Sequence, residues 1–134
     1  MNDVVKIENT EMQIRDYNGQ RVVTFKDIDK AHQRKNGTAR NAFNRNKKHF
    51  VRNEDYFVCQ TYEAKNLYGI TAPNGLTVLT ESGYLMLVKP FTDDLSWNVQ
   101  RQLVNTYFKA KREYGLISDA TPKIPFRTSS TPVP

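Results

Sequence analysis

The stretch Thr38-Ala39-Arg40-Asn41-Ala42-Phe43-Asn44-Arg45-Asn46-Lys47-Lys48-His49-Phe50 decides how the chain is read. Placed on a helix at about 100° per residue, Ala39, Ala42, Phe43 and Phe50 share one narrow stripe. Arg40, Asn41, Asn44, Arg45 and Lys48 take the opposite face, with Lys47 at its edge. The spacing therefore predicts a helix from Thr38, its expected N-cap, to about Phe50, held down by an apolar back. Its front is rich in hydrogen-bond donors and carries no carboxylate.

Just upstream, Thr24 and Asp27 are spaced as a capping box, and Phe25, Ile28 and His32 repeat at helical intervals up to Lys35. Asn36-Gly37 is expected to end that helix, with glycine at C′. Two helices joined by a short glycine-containing turn form a helix-turn-helix-like outline. Before them, residues 11–24 read as two strands of a hairpin turning at Asn18-Gly19. After them come a buried strand at Tyr56 to Cys59, a segment from Tyr62 to Thr71 open between helix and loop, and the turn Pro73-Asn74-Gly75. A strand from Leu76 to Leu79 follows, then a short helix capped by Thr80 and stopped at Pro90. Thr92 is the expected cap of a long last helix over residues 93–112. Leu95, Val99, Leu103, Tyr107 and Ala110 would form one apolar side and Trp97, Val104 and Phe108 a second. A helix greasy on two sides is either central or an oligomer contact. The expected fold class is thus α+β: a hairpin, a helix pair, short strands and a long C-terminal helix. From Ile117 the composition shifts to Pro, Ser and Thr, so residues 1–116 read as one domain and 117–134 as a flexible linker or tail, consistent with a further domain beyond it.

The 134 residues carry a net charge of +6, and its placement matters more than its size. Eight cations lie between Lys30 and Asn53 with no Asp or Glu among them, leaving 12 basic against 14 acidic side chains elsewhere. Focused positive charge fits a polyanionic partner, although a merely solvated basic face has the same composition. No apolar run approaches the roughly 18 to 20 residues of a membrane span. A single cysteine, Cys59, excludes an intramolecular disulfide framework, and the N-terminus lacks the layout of a secretion signal; a reducing cytoplasm fits best.

Arginine can bind guanine bidentately and asparagine can bind adenine likewise, while lysine grips phosphate as a flexible point charge. Arg40, Asn41, Asn44, Arg45 and Lys48 are therefore the expected groove-facing residues, with Arg34, Lys35, Lys47 and Arg52 on the phosphate backbone. Signs of catalysis are lacking. His32 reads as packed beside Ile28, His49 as a phosphate-side donor at most, and Cys59 as a buried inert thiol. Glu81-Ser82-Gly83 lacks the first glycine of a nucleophile elbow, and no nucleotide-binding loop occurs. Glu54, Asp55, Asp93 and Asp94 could in principle hold Mg²⁺ for a nuclease, yet turn and capping roles account for them more simply. The expectation is a non-enzymatic protein without metal or cofactor.

A longer pattern runs through these segments. Tyr17 to Asp29, Gly37 to Phe50, Glu54 to Phe57, Gly75 to Val88, Phe91 to Trp97 and Val99 to Phe108 together resemble the N-terminal domain of phage antirepressor-like proteins. This is the family named for a phage open reading frame six, akin to KilA-N and Bro-N domains. The resemblance implies an α+β DNA-binding domain of phage and prophage proteins, commonly followed by a variable C-terminal domain, with a role in gene control inside the bacterial host. Duplex DNA is the expected partner. The alternatives are a repressor protein docked on the basic face or the last helix, a second copy of the chain through helix 93–112, and single-stranded nucleic acid stacked on Tyr56, Tyr62 or Tyr68.

Overall fold

The computed structural model describes residues 4–109. It begins with an antiparallel pair that the sequence does not announce, β1 (Val4–Ile7) and β2 (Thr10–Gln13), in the register Val5 to Met12. Their two-residue turn contains no glycine, and Glu8 takes a φ of 54°. The Glu8 amide donates to Gln102 Oε1 at 2.9 Å, so the turn is held by a side chain 94 residues further on. The strand expected over residues 11–17 is consequently two strands: Gln13 closes β2, and β3 (Arg15–Tyr17) starts after Ile14.

The expected hairpin joins β3 to β4 (Gln20–Thr24), with Asn18 and Gly19 at φ 55° and 79°, the left-handed pair that matches strand twist. β5 (Tyr56–Cys59) and β6 (Leu76–Leu79) complete an antiparallel sheet in the order β3-β4-β6-β5. Alternation along the strands gives it two apolar faces. Val22, Phe57, Cys59 and Val78 point to one, where Tyr17, Tyr68 and Leu76 cover them. Val23, Tyr56 and Leu79 point to the other and join the main core.

Thr24 caps α1 (Phe25–Ala31) through the expected capping box: its hydroxyl accepts from the Asp27 amide at 3.0 Å, and the Asp27 carboxylate accepts from the Thr24 amide at 3.0 Å. The helix stops four residues before Lys35. Gln33 takes a φ of 54°, and the amides of Gln33 and Arg34 return to the carbonyls of Lys30 (3.2 Å) and Asp29 (2.8 Å), a Schellman ending. Gly37, expected to end α1, instead precedes α2 (Thr38–Arg45) as its N-cap at φ 100°, so six residues separate the helices. That is longer than a tight helix-turn-helix turn. Past Asn46, a 3-10 turn over Lys47–His49 replaces the rest of the expected helix.

The open segment resolves as α3 (Thr61–Tyr68), packed on β5 and placing Tyr68 over the first sheet face. Thr80 caps α4 (Glu81–Leu87), and Gly83 of that helix lies against the Asp55 backbone. Asp93, rather than Thr92, caps α5 (Asp94–Gln102), because its carboxylate accepts from the Ser96 amide. A π turn over Leu103–Phe108 follows. Such a turn holds more residues than an α turn, so it resets the helix face. Tyr107 and Phe108 both end up inside at 0% and 2% exposure, and Phe108 leaves the second apolar side on which periodicity had placed it. The remainder of the expected helix, residues 110–112, and the 117–134 tail lie outside the described residues. No helix among the described residues is long and apolar enough to cross a membrane.

Candidate nucleic-acid interface

α2 is eight residues long and is fastened from below. Ala39 and Ala42, at 0% and 1% exposure, let its backbone sit close on the core, and Phe43 anchors it. The Phe43 ring lies 5.2 Å from Phe25, 4.9 Å from Phe50 and 5.0 Å edge-on from Tyr56, spacings typical of favourable aromatic pairs. The first turn has no side-chain cap of its own. Asp29, buried at the end of α1, supplies one across the loop: its two oxygens accept from the amides of Gly37 (2.8 Å) and Ala39 (2.9 Å). A carboxylate there satisfies orphan donors and complements the positive end of the helix. No local spacing reveals this cap, because the donors and the acceptor belong to different elements. An aspartate two residues past a capping box was the sole available sign.

The outer face of α2 follows the wheel. Arg40, Asn41, Asn44 and Arg45 are exposed on it, and Lys47, Lys48 and His49 are exposed on the 3-10 turn that continues it. Lys35 is exposed in the loop before α2, and Arg52 is exposed beyond the turn. No ion pair among the described residues reaches any of these cations. Asn46 is occupied, its Nδ2 donating to the Ala42 carbonyl at 2.9 Å and closing the C-terminus of α2.

Arg34, expected on the phosphate side, is already engaged within the fold. Its guanidinium is drawn to α5, where Nη2 donates to the Asp93 carboxylate and, at 3.3 Å, to Ser96 Oγ, while the plane stacks 4.4 Å from the centroid of Phe91. Arginine's delocalised, weakly hydrated cation suits such a semi-buried stack, and an acid at a helix start is its natural counter-charge. Arg34 therefore ties the α1–α2 loop to α5.

The other chemistry-bearing side chains are also bound into the fold. His32 is 1% exposed, with Nδ1 at 2.9 Å from Ser96 Oγ and Nε2 at 2.7 Å from Tyr84 Oη. Burial, reinforced by the charge of Arg34, pushes its imidazole down to about 4. Burial likewise pushes the Cys59 thiol up to about 11, which disfavours the reactive thiolate. The Asp55 carboxylate accepts from the Val51 amide (2.8 Å) and the Ser82 hydroxyl (2.7 Å). Among the described residues, no group of three His, Cys, Asp or Glu side chains is placed to hold a metal ion. Of the tyrosines considered for stacking, Tyr56 is buried and Tyr68 donates to the Asp16 carbonyl at 2.8 Å, whereas Tyr62 is 61% exposed.

These elements define a small α+β domain whose second helix turns an unpaired cationic face outward. A family model describes it: residues 12–90 match the ORF6N domain, and the chain belongs to that family, which places it among phage-type regulatory domains. No curated protein and no solved structure matches the chain.

Proposed function

We propose that this is the duplex-DNA-binding domain of a phage or prophage antirepressor-type transcriptional regulator. It acts in the cytoplasm of a bacterial host, without cofactor or catalysis, and enters the major groove with α2. One observation carries the reading. Arg40, Asn41, Asn44 and Arg45 project from one side of a helix whose other side is locked into the core, and nothing acidic shares that side. The major groove of DNA is about 12 Å wide and admits such a helix, and these residue types match its purine edges.

The test is binding to duplexes selected from a random pool. Arg40→Ala and Arg45→Ala should each weaken the preferred duplex by about 1–3 kcal/mol while leaving thermal unfolding unchanged, since both side chains are exposed. If Lys35, Lys47 and Arg52 contact phosphates, they should contribute about −3 to the slope with which the logarithm of the binding constant falls against the logarithm of salt. Wild-type affinity in both variants would remove α2 from the interface.

A second reading is supported by α5. Trp97 is 64% exposed there, beside a groove lined by Gln100, Arg101 and Val104, and an exposed tryptophan is a common anchor of protein contacts. Through this face the domain would dock a repressor or a second copy of itself. Trp97→Ala should abolish repressor capture or self-association in sedimentation, and should spare DNA binding if the two faces act separately.

A further inference from the structure

Beside the outer face of α2 lies a cleft of about 550 Å³ between the start of α1 and the loop that leads into β6. Its apolar side is formed by Phe25, Ile70 and Leu76, and its cations are Arg15, Lys26 and Arg40. No carboxylate lines it. Arg15 is already balanced, because Nε and Nη2 grip the two oxygens of Asp27 at 2.8 and 3.2 Å. Lys26 and Arg40 are exposed and in no ion pair among the described residues, so they give the cleft its uncompensated charge.

The far wall is firmly built. Thr61 Oγ1 donates to the Ala72 carbonyl at 2.8 Å, and the Gly75 amide closes a turn onto the same carbonyl at 3.0 Å. Gly75 takes a φ of 91°, and a Cβ there would meet the Cys59 carbonyl at 3.1 Å, so the loop is pressed against the end of β5.

A site with apolar and aromatic surface under two free cations suits a ligand that is apolar in part and anionic in part, and its volume is in the range of small-ligand pockets. A nucleotide's sugar and phosphate have that make-up. Arg40 belongs both to this cleft and to the outer face of α2, so the two surfaces are contiguous. We propose that the cleft seats the sugar–phosphate backbone of the DNA strand flanking the groove that α2 enters, with deoxyribose against Phe25 and Leu76 and phosphate on Lys26, next to the groove-facing Arg40. This rests on the DNA-binding reading, and the experiment separates the two.

Binding of the whole chain to a selected duplex is measured across a salt series for wild type, Lys26→Gln, Thr71→Trp and a control, Lys65→Gln on α3. Positions 26, 71 and 65 are exposed, so folding is preserved and is checked by thermal melting. Lys26→Gln should make the salt slope shallower by about one, the signature of one lost phosphate contact. Thr71→Trp, which fills the cleft, should weaken binding uniformly across sequences, and Lys65→Gln should match wild type. If wild type binds and both cleft variants keep its affinity and slope, the cleft proposal falls while the DNA reading stands. A shallower slope in Lys26→Gln with a neutral Thr71→Trp would put the phosphate outside the cleft and overturn it too. Saturable binding of thymidine 5′-monophosphate with no change in either variant's duplex binding would make this a free-nucleotide site and likewise overturn the proposal. Failure of wild type to bind any duplex at low salt would end both readings.

Discussion

Gly83 shows how much one hydrogen atom can matter in this fold. A Cβ at that position would stand 2.0 Å from the Asp55 carbonyl oxygen. That oxygen cannot move aside freely, since it accepts from the Thr80 amide at 3.0 Å and the Thr80 hydroxyl at 3.1 Å. Alanine is intrinsically the better helix former by about 1 kcal/mol, yet the clash should dominate. Gly83→Ala is expected to lower stability by at least about 2 kcal/mol, read as a fall in the urea midpoint; a stabilised variant would refute the close approach. His32 makes a second case at the same scale. Its imidazole is held near 4 when folded and titrates near 6.5 when unfolded. Between those values the unfolded chain binds a proton that the folded one refuses. The stabilising contribution is therefore complete above about pH 6.5 and is lost as pH falls towards 4, by up to about 3 kcal/mol. His32→Gln should flatten the pH dependence of unfolding in that window, and an unaltered pH profile would show that the histidine titrates normally.

The helix that carries the proposed interface depends on a neighbour. Asp29 provides both oxygens that cap the first turn of α2. Asp29→Ala should cost about 1–3 kcal/mol and speed amide hydrogen exchange at Gly37 and Ala39. Asp29→Asn, which keeps one acceptor oxygen, should fall between the alanine variant and wild type. Unchanged exchange at both amides in the alanine variant would mean that the turn is capped otherwise. Among the elements, those specified by neighbours in sequence were legible: the Asn18-Gly19 turn, the Thr24–Asp27 box, the apolar stripe of α2 and the strands β5 and β6. Elements specified across the chain were not. The β1–β2 turn leans on Gln102, the α2 cap comes from α1, and Arg34 is claimed by Asp93 and Ser96 more than fifty residues away. The π turn escaped notice because periodicity assumes a constant repeat, and the shift that brings Phe108 inside breaks it. For the same reason the cationic face was visible from the sequence, whereas the cleft beside it, assembled from β3, α1, α2 and the loop after α3, was not.

At the scale of the molecule, the family match ends at residue 90 but the core does not. Val99, Leu103, Tyr107 and Phe108 are each at most 2% exposed. Tyr107 Oη donates to the Val22 carbonyl at 2.6 Å and accepts from the Arg15 amide at 3.1 Å, and Arg21 Nη1 donates to the Tyr107 carbonyl at 2.8 Å. Burying four such side chains is worth about 6–12 kcal/mol, comparable with the whole stability of a typical domain. A chain cut after Pro90 should therefore lack a cooperative thermal transition and a dispersed amide spectrum, both of which a chain ending at Lys109 should show. A folded 1–90 fragment would contradict this. A different division runs between inside and outside. Ala39, Ala42 and Phe43 face inward from α2 while Arg40, Asn41, Asn44 and Arg45 face outward, so on this helix the residues that hold the fold and those left exposed are separate sets. If α2 reads DNA as proposed, its outward residues can be exchanged without loosening the core, and they are the place to rewrite its sequence preference by design.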